Sequence, residues 1–354
     1  MNLRDVMRIL GSARHDGRNL THDEAFRAFE VILTGGVSEI QIAAFLTALR
    51  WKGVTVEELT AFAQAARAQA SIPCRDMQNL VCVSPPHDGF EQVPPLEVAA
   101  GLVAAAAGVR VLILSDRCVP PKRGLTAASV LERLGLDMTW DPAEAEDWVA
   151  RTRFAVVCAA GLLPALMSLR RVRGELGVRT PLATVEKLIA PPNAALVVGA
   201  QGGPVLGVAI EVVQALGHPR GMVVQGLEGG VVPSVRRRTR GLELTGSHQV
   251  PLTLEPKDFG LACDSEPDLP MFGPPEEGYG TGDNPQLAAA AGEATMAVLA
   301  GEHGPARNAV LLGAALILKA GGRAFTLAEG ISSATEALDS GEARAVLERL
   351  RALG

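Results

Sequence analysis

Apolar positions change their spacing twice along this chain. Through the first 70 residues they recur at helical intervals. Three hydroxyl residues each precede an acid or amide by three positions: Thr21 with Glu24, Ser38 with Gln41, and Thr55 with Glu58. In such a capping box the hydroxyl accepts from the third backbone N–H while the longer side chain reaches back. Gly35-Gly36 and Gly53 mark helix ends. Ile40, Ala43, Ala44, Thr47 and Trp51 fall on one face of the third predicted helix. A short helical module with an apolar face needs a partner surface. A homodimer built through the N-terminal helices is therefore expected, with Ile40 and Phe45 at its interface.

From about Val81 apolar runs of strand length alternate with helical segments. The runs are Val109–Leu114, Phe154–Cys158, Ala195–Val198 and Met222–Val224. Between them lie helical stretches at Leu96–Ala107, Leu125–Leu134 and Val205–Leu216, with Gly108, Gly135 and Gly217 at their stops. This alternation predicts a parallel sheet covered on both faces. Residues 255–283 are Pro- and Gly-rich, carry eight acids against Lys257 alone and read as a long surface loop; helical spacing returns over Pro285–Leu353. The division expected is a helical domain over 1–72, joined by mid-chain helices near 162–188, and an α/β domain over 73–354.

Composition adds constraints. The chain has 354 residues, 48% hydrophobic and only 4% aromatic, enough for a large core in about two domains. Its apolar stretches are too short or interrupted to span a bilayer, and no signal region opens it, which predicts a cytoplasmic protein without membrane contact. The five cysteines are dispersed and read as reduced thiols. Trp51, Trp140 and Trp148 are expected in or beside the core. The net charge of −6 argues against a strongly basic nucleic-acid binder, but Arg236, Arg237, Arg238 and Arg240 form a local run without an acid. Arg170, Arg171, Arg173 and Arg179 form a second, opposed locally only by Glu175. The His87-Asp88 pair reads as a polar turn after two prolines.

Four segments, 38–62, 99–111, 173–180 and 309–341, resemble the anthranilate phosphoribosyltransferases of glycosyltransferase family 3, in that family's order. The resemblance implies an α/β protein of the nucleoside-phosphorylase/phosphoribosyltransferase type. That fold has a small all-helical domain and a large domain around a mainly parallel sheet, usually as a homodimer. The family's motifs are altered here. A glycine-rich loop that lets backbone N–H groups approach a pyrophosphate is matched by Val83–Gly89, where Pro85 and Pro86 have no N–H to donate. Gln92-Val93-Pro94-Pro95 stands where the family has Asn and hydroxyl residues near the phosphates. An Asp-Glu pair that binds magnesium is matched by Val231 and Val232, which have no ligating oxygen. Glu186-Lys187 replaces a Gly-Pro turn facing anthranilate. Arg117, Lys122 and Arg173 remain as residual ligand-site residues.

Segments 49–59, 184–192 and 225–240 resemble one branch of the family in particular, the transferase-like paralogues that bind nucleic acid without sequence preference. The expectation is a non-catalytic protein, with no cofactor and no metal ligand, that binds single-stranded DNA or RNA. The candidate contacts are Arg236, Arg237, Arg238, Arg240, Arg170, Arg171 and Lys187. The alternative is an active phosphoribosyltransferase with anthranilate or another substrate, and only that alternative calls for magnesium.

Overall fold

In the computed structural model, residues 3–11, 17–271 and 279–353 are described. Four helices open the chain: α1 (Leu3–Gly11), α2 (His22–Leu33), α3 (Glu39–Lys52) and α4 (Val56–Gln69). All three predicted capping boxes are formed, at Thr21, Ser38 and Thr55. Phe29, Phe45 and Phe62 are buried where α2, α3 and α4 meet, with ring centroids 5.1 Å apart for Phe29–Phe62 and 6.0 Å for Phe45–Phe62. Phe45 thus belongs to the bundle's own core, not to an outward face: its spacing places it on the side of α3 opposite Ile40. The outward face carries Ile40 and Trp51, 82% and 86% exposed. The expectation that Trp51 and Trp140 pack in the core is corrected, since Trp140 is also half exposed and only Trp148 is buried.

Glu58 ties the bundle together. Its carboxylate is fully buried and accepts from Leu20 N at 2.8 Å, Lys52 Nζ at 2.8 Å and Thr55 N at 3.0 Å. The capping box of α4 is therefore also the cross-link that fixes the chain entering α2. The mid-chain helix Arg170–Leu176 packs on α3, and Leu182–Val185 packs on α4.

The larger part surrounds a seven-stranded sheet of β1 (Leu80–Ser84), β2 (Arg110–Ser115), β3 (Phe154–Cys158), β4 (Ala195–Gly199), β5 (Arg220–Val224), β6 (Thr239–Thr245) and β7 (His248–Leu254). The order is β3-β2-β1-β4-β5-β6-β7, parallel through β5 and antiparallel beyond it. Strands β1, β3 and β4 are buried along their whole length, as expected of parallel strands covered on both faces. The β6–β7 hairpin has no counterpart in the sequence reading. Most of β7 is exposed at the sheet edge, so no apolar period announces it. Among the described residues no helix is long and apolar enough to cross a membrane.

Replacing Glu58 by Ala leaves the Lys52 ammonium and the Leu20 N–H without their acceptor. The expected loss is about 2–3 kcal/mol of unfolding free energy, measured by urea denaturation. The exposed Glu30→Ala control is expected to stay within about 0.5 kcal/mol of the parent.

Candidate functional site

The loop leaving β1 turns inward. Ser84, His87 and Asp88 are all buried. Asp88 is gripped by Arg179, with Nε to Oδ2 at 2.6 Å and Nη2 to Oδ1 at 2.7 Å, the fork geometry that makes such pairs strong. Among the described residues, neither ring nitrogen of His87 has a hydrogen-bond partner, and the Ser84 hydroxyl and Glu97 Oε1 are likewise unpartnered. Burial pushes the His87 imidazole down to about 4, partly opposed by Asp116, and pushes the Glu97 carboxyl up to about 8. His87-Asp88 is accordingly no hydrogen-bonded acid–base couple: the aspartate serves an arginine and the histidine is a neutral, enclosed ring.

The mid-chain arginines prove to be paired one by one. Arg173, only 4% exposed, bonds Glu186 through both terminal nitrogens and donates from Nε to Pro120 O at 2.9 Å. Arg170 is bonded to Asp116. Arg171 bonds Glu175 at 2.8 Å and faces Glu39 at 3.6 Å. The second basic stretch is thus balanced by carboxylates, four of which, Glu39, Asp88, Asp116 and Glu186, lie outside it. Lys187 donates to Gly199 O at 2.7 Å, and burial, followed by the Arg179 charge, pulls its ammonium down to about 8. Of the residual ligand-site residues, Arg117 pairs with Glu132 and Asp137, and Lys122 with Glu91 and Glu228.

Between α3–α4 and the ends of the parallel strands lies a cavity of about 340 Å³. Arg50, Asp88, Arg179 and Lys187 line its polar side, and Leu59 and Val212 its apolar side. This cavity brings Lys187 and Arg179 together but leaves Arg236 to Arg240 elsewhere.

Arg236, Arg237 and Arg238 sit on the connection from β5 to β6, and Arg240 is the second residue of β6. The connection's backbone is folded back tightly: a Cβ on Gly199 would meet Gly229 O at 2.4 Å, and one on Gly226 would meet Gly230 O and Val232 O at 2.5 Å. Val231 and Val232 are buried in the core at 3% and 5% exposure. They present hydrocarbon where the family resemblance places magnesium ligands, so the donor set does not fit a hard cation. Among the described residues, no group of three or more His, Cys, Asp or Glu side chains is placed to hold a metal ion. Beyond the valines, Arg236, Arg237, Arg238 and Arg240 are exposed. Arg237, Arg238 and Arg240 rim a concavity of about 430 Å³ together with Gln225 and Ser234.

Only Arg238 of the four has a carboxylate partner among the described residues, Glu255 at 3.2 Å. The acidic segment supports this turn from beneath: Glu266 accepts from the Ser234 hydroxyl and, at 3.1 Å, from Val235 N. Ser234 Oγ in turn accepts from Arg236 N and Arg237 N, both at 3.1 Å. Sequence reasoning missed the three ion-pair partners Asp88, Asp116 and Glu186, and also Glu228, whose carboxylate reaches the backbone of residues 91–93.

The family model for "Glycosyl transferase family, a/b domain" matches residues 95–344, and that for "Glycosyl transferase family, helical bundle domain" matches residues 13–70. The chain is 32% identical over 335 residues to an anthranilate phosphoribosyltransferase of Methanobrevibacter smithii, covering 94% of this chain and 95% of that protein. It is 33% identical over 350 residues to one of Geobacter sulfurreducens, with 94% and 95% covered. Among solved structures, the anthranilate phosphoribosyltransferase of Thermus thermophilus matches with a TM-score of 0.80 and 31% identity, over 100% of this chain and 99% of that one. The Saccharomyces cerevisiae enzyme in complex with PRPP and Mg shares the fold, with a TM-score of 0.78, 18% identity and coverage of 99% and 97%.

The His87 geometry sets a pH dependence. The unfolded chain takes up the proton near the ordinary value of 6.5, and the folded chain only near 4. This contribution to stability is complete above 6.5 and is lost as pH falls from there toward 4, by up to ~1.4 kcal/mol per pH unit. Chemical denaturation of the parent and of His87→Gln at a series of pH values is expected to show their stability difference shrinking across that window in the parent's disfavour. A pH-independent difference would place His87 in contact with water.

Proposed function

The chain belongs to the glycosyl transferase family whose helical-bundle and α/β domains it carries, and from that premise we propose that it has lost phosphoribosyl transfer and binds nucleic acid through the arginine turn 236–240. The observation that supports this reading is what stands at the positions matched to the family's donor and metal motifs. Asp88 is locked to Arg179 behind two prolines, and two buried valines stand where the metal-binding acids are expected. Transfer from a pyrophosphate donor needs its leaving-group charge neutralised, and the two valines offer no oxygen ligand for the cation that does so.

What supports nucleic acid as the ligand is charge in excess of local need. Arg236, Arg237 and Arg240 project from a tethered turn without a carboxylate partner among the described residues. Guanidinium groups contact phosphates as fixed charges without reading sequence. Aromatic platforms for base stacking are few, so the binding proposed is to the backbone. Arg170 and Arg171, already paired, add little to it.

A second reading, an active transferase with an altered site, is favoured by the relatives' names and by the amphipathic cavity at Arg179 and Lys187. The two separate in one experiment with purified protein. Magnesium-dependent turnover of phosphoribosyl pyrophosphate with anthranilate supports the second; none is expected on the first.

On the first reading, affinity for labelled single-stranded DNA falls steeply with salt and is insensitive to base sequence. The log–log slope is about −0.7 per phosphate neutralised. Arg236→Ala, Arg237→Ala and Arg238→Ala together are expected to flatten it by roughly two, and an unchanged slope at parental affinity refutes the assignment.

We also propose that Ile40 and Trp51 form the homodimer contact. Ile40→Asp with Trp51→Glu is expected to halve the mass seen by light scattering without lowering the melting temperature. A parental mass in that variant places the contact elsewhere.

A further inference from the structure

The end of the parallel sheet away from the cleft carries a row of arginines. Arg110 is the first residue of β2, Arg153 directly precedes β3, and Arg220 opens β5. The register sets Val111 beside Phe154, so Arg110 and Arg153 are neighbours one step earlier. Arg323, just after the helix Pro305–Ala320, lies along Gly108, where a Cβ would stand 3.6 Å from its Nε. Arg220 lies against Gly322 of the same turn, where a Cβ would stand only 1.8 Å from Nη1. In the order β3-β2-β1-β4-β5 the row spans four strand spacings, about 19 Å.

Among the described residues none of these arginines has a carboxylate partner. Arg110 donates to Gln78 O at 2.8 Å and Arg323 to Ala107 O at 3.4 Å. Arg153, Arg220 and Arg323 are exposed, and Arg110 is half-buried. Part of the charge serves the fold. The helices Glu97–Ala106, Pro142–Thr152, Val205–Ala215 and Pro305–Ala320 end on this edge. Each helix end carries about half a negative charge, so together they offset about two of the four guanidinium charges. Nearby acids do not cancel the remainder. Glu243 bonds Lys319 at 2.6 Å, Glu329 accepts from Phe325 N at 2.9 Å, and Asp76 stands next to Arg75.

The turn that carries Arg323 also presents Phe325, which is 86% exposed. Guanidinium groups along a track with an aromatic face beside them are the means by which proteins hold single strands: charge meets the backbone, and the ring takes a base. An acidic peptide answers the charges but has no planar base for the ring.

We propose that Arg110, Arg153, Arg220 and Arg323 with Phe325 form a second binding surface for single-stranded nucleic acid, with phosphates on the guanidinium groups and a base stacked on Phe325. This rests on the reading of the chain as a nucleic-acid binder but not on the turn at 236–240, which lies at the other end of β5. Two surfaces at opposite ends of one sheet allow one subunit to hold two strands, or two stretches of one.

The test is anisotropy titration of a labelled oligothymidylate with the full chain at several salt concentrations. Changing Arg110, Arg220 and Arg323 together to Gln is expected to flatten the log–log slope by roughly two, and changing the same three to Lys is expected to restore it. Phe325→Ala is expected to weaken binding on the order of tenfold at an unchanged melting temperature, since the ring is exposed. In Phe325→Trp, saturation with the oligonucleotide is expected to quench the added fluorescence relative to the parent. A parental slope and affinity in the folded triple-Gln protein overturn the proposal, as does an unquenched Phe325→Trp signal at saturation. Equal affinity for poly-glutamate of the same charge assigns the edge to an acidic protein and also overturns it. The same titration with Arg236, Arg237 and Arg238 changed to Ala separates the two surfaces. A flattened slope there alone upholds the turn and sinks the edge, and a flattened slope in the triple-Gln protein alone does the reverse. A parent that binds no oligonucleotide at low salt overturns both.

Discussion

A charge removed from water has to meet a partner within hydrogen-bonding reach, and the cleft between the helical and α/β parts of this protein is organised by that requirement. Asp88, Asp116 and Glu186 are nearly inaccessible, and each is met by an arginine from the mid-chain helices or the loop beside them: Arg179, Arg170 and Arg173. Removing one member of such a pair strands the other in low dielectric, a penalty of about 3–5 kcal/mol for a buried pair. The pairs therefore act as bolts. They hold the loop after β1, the end of β2 and the segment at 186 against the same short helices that pack on α3 and α4. Within that cleft the three pairs neutralise one another, while Arg50 and Lys187 are met by backbone carbonyls, and the arginine turn beyond β5 has not been neutralised by such pairs.

How much of this was readable beforehand depends on range. Capping boxes are written within four residues, and all three predicted ones formed. Buried parallel strands announce themselves as apolar runs, and those predicted are present as β2 to β5. The small-plus-large architecture implied by the family resemblance is also present. The ion pairs were illegible for the opposite reason. Asp88 and Arg179 are 91 residues apart, and Asp116 and Arg170 are 54 apart. A count of charges in a local window finds a basic stretch where the folded chain has none to spare. Trp51 misled through composition, because a large apolar side chain is usually covered within its own chain. Its exposure leaves an apolar patch with Ile40 on the outward face of α3.

The acidic segment also changes meaning once folded. As sequence it is a loop whose charge opposes the arginines. As structure, Glu266 binds Ser234 and Val235 beneath the turn, and Glu255 holds Arg238 at one side. Acid and base are adjacent, but Glu266 is engaged by a hydroxyl and a backbone N–H, and Arg236, Arg237 and Arg240 keep no carboxylate partner among the described residues.

The interlocked backbone around Gly199 and Gly226 has a thermodynamic consequence for whatever the turn meets. With carbonyl oxygens 2.4 to 2.5 Å from where a first side-chain carbon would stand, the turn has no slack in which to wander. Its conformational entropy is surrendered when the chain folds, not when a partner arrives. An encounter then has only the guanidinium rotamers left to freeze, about 0.5–1.5 kcal/mol for each side chain immobilised. Widening either glycine would thus act at a distance, loosening the platform and making each encounter entropically dearer while every arginine stayed in place.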